Sequence, residues 1–290
     1  MNDDALILSQ QLGQAYRIAC LAEVEAVKPG NVHIFADGHG MQVRDFIHSA
    51  EVSAPVISQA NLALGERVFR SVEATWDAVD CNTNLGIILL CAPIIQAALL
   101  PATTSLRDQL AQVLANTTQA DAEFLFKAIQ MANPAGLGNA ESHDVHRSVT
   151  CTLQEAMQAS ADRDFIGQQY ANGFLQVFDE GVPHFEAALL RWGRPAWATT
   201  ALYLYWLSQY PDSHIVRKYD TSIAMTVQNE AHVHHQALEA LDNPKHYLPQ
   251  LLAFDQSLKS RGINPGTSAD LTVATLLVHN CCNYSLTTVN

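Results

Sequence analysis

The stretch that most constrains this chain is Leu85-Gly86-Ile87-Ile88-Leu89-Leu90-Cys91-Ala92-Pro93-Ile94-Ile95, introduced by Asn82-Thr83-Asn84. A helix that is apolar on every side must be covered on every side, so this segment predicts a helix through the protein's centre. The expected fold is all-α: a multi-helix globular bundle around that buried helix, with residues 1–290 as a single domain. Only the start of the central helix is polar. Thr83 or Asn84 is suited to cap it, and Gly86 lets another group approach its first turn. The first N–H groups of a helix lack internal partners and carry partial positive charge, which makes them a seat for an anion.

The rest of the chain supplies the covering helices. Leu8, Leu12, Ala15, Ala19 and Ala22 recur at helical spacing and predict a helix over about 5–27, stopped by Pro29-Gly30. A second should start near Val43, with Asp45 in its first turn, and run to Pro55. Residues 56–79, 106–115, 121–131, 152–159, 164–178, 185–192 and 196–210 read as further helices. A long helix ends near Leu241 and carries His232, His234 and His235, which read as surface histidines. No strand alternation or internal repeat is visible.

Composition narrows the partners. At 48% hydrophobic residues over 290 positions, the chain can bury a large core. Charged residues make up only 16%, which leaves room for a homodimer interface or a closed pocket. A net charge of -13 excludes the basic stripe that nucleic acid requires. Met1-Asn2-Asp3-Asp4 has no basic leader character, and the run Leu85–Leu100 is too short and too interrupted by Pro93 and Gln96 to span a membrane. Six cysteines without a Cys-x-x-Cys pair read as buried free thiols in a cytoplasmic, reduced protein.

Polar clusters at helix boundaries carry the chemistry. Lys28-Pro29-Gly30-Asn31-Val32-His33 is a shaped loop, followed by Asp37-Gly38-His39-Gly40-Met41. Asn82-Thr83-Asn84-Leu85-Gly86 opens the central helix. In Asp212-Ser213-His214-Ile215-Val216-Arg217-Lys218, the aspartate can hold a metal and the two bases can clamp phosphates, or Asp212 or Ser213 caps a helix and the two bases are solvated. In Asn264-Pro265-Gly266-Thr267-Ser268-Ala269-Asp270, Ser268 suits an N-cap and Asp270 a first turn. The loop Asn133–Asn139 leads into His143-Asp144, whose spacing fits no standard metal site and reads as a solvated helix start.

Those four motifs, in that order, resemble the triphosphoribosyl-dephospho-CoA synthase family over most of the chain. The resemblance implies an all-helical transferase that joins the triphosphoribosyl part of ATP to dephospho-CoA and releases adenine. It implies Mg²⁺ as cofactor with ATP, and a small phosphorylated nucleotide as the partner. Charge that develops on the sugar would be stabilised by a carboxylate from Asp45, Asp212 or Asp270, and Asp212 and Asp270 would also hold the metal. Lys28, Arg217 and Lys218 would neutralise the triphosphate, and Asn82 and Asn84 would bond ribose or base. Asn31, His33, Thr83, Gly86, His214 and Ser268 complete the implied binding set.

The chain departs from the family at two places. Asn84-Leu85 stands where the synthases usually carry His-Lys, and Tyr170-Ala171-Asn172 where they carry Arg-Gly-Glu. These departures resemble a divergent branch of methylotrophs and archaea associated with one-carbon cofactors of methanopterin or methanofuran type, and they allow a changed substrate. Two further readings stand beside the transferase. One is a non-catalytic helical protein that binds a phosphorylated ligand; the other is a metal-dependent hydrolase using His33, His143 and the aspartates.

Overall fold

The computed structural model describes residues 3–134 and 149–287. Among these residues the secondary structure is fourteen α-helices, a π-helical turn at Val177–Gly181 and a short 3-10 helix at Pro244–Tyr247, with no strand. The first half holds α1 (Asp3–Glu25), α2 (Val43–Ile57), α3 (Leu64–Val79), α4 (Leu85–Ala98), α5 (Leu106–Ala115) and α6 (Gln119–Ala132). The second half holds α7 (Leu153–Gln158), α8 (Phe165–Asn172), α9 (Val182–Trp192), α10 (Pro195–Gln209) and α11 (Ser213–Lys218). It ends with α12 (Thr221–Glu239), α13 (Leu248–Ser260) and α14 (Gly266–Thr287).

The predicted central helix is α4. It is covered by α1, α2, α3, α5, α6, α8 and α14, and only Gly86, Gln96 and Ala98 along it escape full burial. A second apolar helix, α10, is buried beneath α1, α9, α12 and α14. Because α14 packs on both, the buried apolar side chains join into one contiguous core.

Pro93 lies inside α4 and has no N–H for the carbonyl of Leu89, four residues back. The Tyr170 hydroxyl, fully buried on α8, donates to that carbonyl at 2.6 Å. A defect in the central helix is thereby repaired from a neighbour, and α8 is tied to α4. Fully buried and bonded in this way, Tyr170 serves the core.

Residues 56–79 do not form one helix. The fully buried Arg67 donates to the carbonyls of Ile57 (2.5 Å) and Leu62 (3.0 Å), which terminates α2 and shapes the connection to α3. Burial lowers the Arg67 guanidinium to about 10. Pro55 does not stop α2, which continues to Ile57, because proline's fixed φ is itself helical. The predicted helix 164–178 breaks where Gly173 and Phe174 adopt positive φ. Residues 248–260, for which the sequence reading gives no element, form α13, with Leu251, Phe254 and Leu258 turned inward. No helix among the described residues is long and apolar enough to cross a membrane.

Tyr170→Phe removes the hydroxyl and leaves the buried Leu89 carbonyl unpaired. A loss of about 1–3 kcal/mol in chemical denaturation is expected; an unchanged midpoint would contradict the repair.

Candidate functional site

The segments that begin at residues 28, 82, 212 and 264 meet at the N-terminal end of α4. There they line a cavity of about 600 Å³, within the range of small-molecule sites. Asn31 comes from the first segment, Asn82, Thr83, Leu85 and Gly86 from the second, and His214, Val216, Arg217 and Lys218 from the third. Asn264, Gly266, Thr267, Ala269 and Asp270 come from the fourth. One wall is apolar, built by Leu89, Leu125, Phe126, Ile129, Met157 and Ile166.

Asp212 stitches two of these segments together. Its Oδ1 accepts from the N–H groups of His214 (2.9 Å) and Ile215 (3.2 Å), capping α11. Its Oδ2 accepts from Ser268 N and Ser268 Oγ, both at 2.8 Å. Ser213 Oγ pairs with Thr267 Oγ1 at 2.9 Å beside it. Burial pushes the Asp212 carboxyl up, while the bonds from Ser268, Ile215 and His214 pull it back. Both oxygens are thus committed, and Asp212 is off the cavity wall. The expectation that it ligates a metal is corrected: its lone pairs are spent on holding α11 to α14. Ser268 is corrected with it, because α14 already begins at Gly266 and the serine hydroxyl donates to Asp212 instead of capping.

Asp270 is the opposite case. Its carboxylate faces the cavity, and among the described residues no donor bonds it. It lies against Gly86, where any Cβ would overlap it. The group at the first turn of α4 is therefore the protein's own carboxyl, admitted by a glycine. Gly266 plays the same part for His214, whose Nδ1 occupies the space a Cβ would need. Burial pushes the Asp270 carboxyl well up, and the nearby acids Asp212 and Glu23 push it further.

Glu23 went unseen in the sequence. It is 1% exposed, on the core face of α1, and reaches the cavity wall. Its Oε2 has no hydrogen-bond partner, and burial raises its carboxyl, opposed by Lys28. The signal was available: Leu12, Ala15, Ala19 and Glu23 continue one helical stripe, on which a carboxylate is out of place. Lys28, expected on a triphosphate, is itself fully buried, and its ammonium is held by Glu23 Oε1 and by Asn31 Oδ1 at 3.0 Å. It is a counter-ion behind the wall. Desolvation lowers it, with Glu23 opposing.

His33 is off the wall as well. Its ring is buried with Nε2 3.5 Å from Asp255 Oδ1, and Phe35 N donates to its Nδ1. Burial lowers it, and its place off the cavity wall takes away the histidine that a metal-hydrolase reading of this cavity needs. His143 and Asp144, the other part of that reading, lie outside the described residues. Asp45 caps α2, accepting from Gln42 N at 2.8 Å, and does not line the cavity. Asn84 is buried, its amide donating to Thr75 Oγ1 at 3.1 Å, while Asn82 Oδ1 accepts from Leu85 N at 3.2 Å and caps α4. Thr83 Oγ1 pairs with Ser49 Oγ at 2.6 Å.

The cations of the site are Arg217 and Lys218 on α11, with Arg163 beside them. Arg217 Nη1 donates to Asp164 Oδ2 at 2.9 Å, and Lys218 Nζ to the Gly262 carbonyl at 3.2 Å. His214 is pushed down to about 4 by burial, then by Arg217 and Lys218, so it is a neutral imidazole on the wall at pH 7.

Comparison with known proteins bears on the family and the fold. The sequence matches the family of ATP:dephospho-CoA triphosphoribosyl transferases over residues 9–288. A search of curated proteins found no match. Among solved structures, the fold is similar to a protein of Archaeoglobus fulgidus named as a triphosphoribosyl-dephospho-CoA synthase. The TM-score is 0.61 at 21% identity, covering 79% of this chain and 95% of that one, which is a likeness of fold.

The two aspartates should separate on substitution. Asp212→Asn replaces an acceptor with a donor opposite Ser268 and should lose about 2–3 kcal/mol of stability. Asp270→Asn should not destabilise the ligand-free protein at pH 8. Its folded value is raised, so its contribution is full below the ordinary carboxylate range near 4 and is lost as pH rises through the folded value. Melting curves from pH 4 to 8 should therefore fall more steeply with pH for wild type than for Asp270→Asn; parallel curves would contradict the assignment.

Proposed function

The chain belongs to the ATP:dephospho-CoA triphosphoribosyl transferase family and is a transferase, and on that premise we propose that its cavity takes Mg-ATP and an acceptor of the dephospho-CoA class. The observation that carries this reading is the unpartnered Glu23 Oε2 and the Asp270 carboxyl group in one cavity with Arg217 and Lys218. Acid and base together suit a phosphate chain that arrives with a divalent cation.

Magnesium prefers a few carboxylate oxygens, retained waters and substrate phosphates to an all-protein cage. Glu23 and Asp270 fit that demand, whereas Asp212 does not. When bound, the ion would draw off phosphate charge and help hold the triphosphate. Arg217 and Lys218 would orient that chain by charge-assisted hydrogen bonds. The apolar wall of Leu89, Leu125, Phe126 and Ile129 would take the adenine ring or the acceptor's alkyl part.

In the reaction, an acceptor hydroxyl oxygen bonds to the anomeric carbon of ATP's ribose and the bond from that carbon to adenine breaks. The electron pair leaves with adenine, which takes up a proton. Positive charge builds on the sugar in passing, and a carboxylate at Asp270 would stabilise it in this water-poor setting. The same carboxylate would receive the acceptor's proton. His214, neutral, would contribute a hydrogen bond and no charge.

The test is chromatography of adenine after incubation with Mg-ATP and dephospho-CoA. Adenine should appear only with both substrates, and Asp270→Asn should reduce the rate at least 100-fold, on the scale of losing a proton-transfer group. No adenine with any phosphorylated pantetheine acceptor would sink the assignment. Gly86→Ala offers a finer check. The added Cβ overlaps Asp270, so a loss of about 1–3 kcal/mol is expected, offset in part by alanine's better helix propensity. The displaced Asp270 should also lower activity at least tenfold.

A further inference from the structure

Helices α9 and α12 both pack on α10, and they bring three ligating side chains together. His184 Nε2 lies 3.5 Å from His235 Nε2 and 3.5 Å from Glu239 Oε1, and His235 Nε2 lies 3.3 Å from the same oxygen. The three atoms form a nearly equilateral triangle. A tetrahedral ion with bonds of about 2.0–2.1 Å sets its ligands about 3.3 Å apart, whereas adjacent octahedral ligands at that bond length fall at about 2.9 Å. The observed edges suit the first.

The surroundings suit a cation as well. His184 stacks on Tyr205 with centroids 4.4 Å apart, and Tyr205 donates to Glu180, which fixes the ring. His235 is buried, while Glu239 stays half exposed and leaves a side open to solvent. None of the three residues lines the cavity at α4.

We propose that His184, His235 and Glu239 form a binding site for one divalent cation of the zinc class, tetrahedral, with water as fourth ligand. Two imidazoles and a carboxylate are a donor set that zinc accepts readily. The ion would clip α9 to α12 on the surface of α10, apart from the transferase cavity.

The full-length protein, stripped with chelator, is titrated with ZnCl₂ by calorimetry and with CoCl₂ by visible absorption at pH 7.5. The expected result is one saturable Zn²⁺ per chain, a raised melting temperature, and intense four-coordinate bands for Co²⁺. His184→Gln and the more exposed Glu239→Gln should each weaken binding at least tenfold, while His234→Gln, outside the triangle, should not. No saturable uptake, uptake unchanged in both His184→Gln and Glu239→Gln, or a weak octahedral Co²⁺ spectrum would each overturn the site.

Discussion

The buried carboxylate of Asp212 is the interaction on which the site depends. Four donors from two segments more than fifty residues apart in sequence converge on its two oxygens. A carboxylate can be taken out of water only when nearly every lone pair is used, and here they are. The consequence is geometric: α11 and the start of α14 are fixed side by side. His214, Arg217 and Lys218 then face the same space as Thr267 and Asp270. Remove that clamp and the cations and the acid of the cavity no longer share a frame.

Against that fixed frame, the cavity keeps polar groups that are not satisfied from within. Glu23 is half-neutralised by a lysine buried behind it, and its second oxygen is left without a partner. Asp270 approaches the α4 N-terminus through the gap at Gly86. Burying such groups unpaired is unfavourable, which is why their carboxyls are pushed toward the neutral form. Structure maintained at that expense is more often functional than accidental. A cation and a phosphate chain would supply what both acids lack.

Much of the fold was legible in sequence. The apolar run after Asn84 could only be a core helix, and helical spacing located most of its neighbours. The misses have physical causes. Arg67 broke an apparently continuous helix by bonding the carbonyls at the end of α2, and α13 carried too weak a stripe to stand out. The four motifs gave the location of the site but not the roles of its residues. Asp212 and Asp270 are the same residue type, each beside a helix start, and only tertiary contact decides that one is a clamp and the other open. Lys28 looked like a phosphate ligand because sequence does not reveal that Glu23 reaches it first. His235 read as a surface residue, yet it packs beneath His184 and Tyr205.

The central claim is that burial pushes the Asp270 and Glu23 carboxyls up and that a cation arriving with a nucleotide draws them back down. Calorimetry of Mg-ATP binding at pH 7, in buffers of different ionisation enthalpy, measures this directly. The account predicts a heat that varies with the buffer and reports net proton release, reduced in Asp270→Asn. A heat independent of buffer in the wild-type protein, or the same release after that substitution, would contradict it.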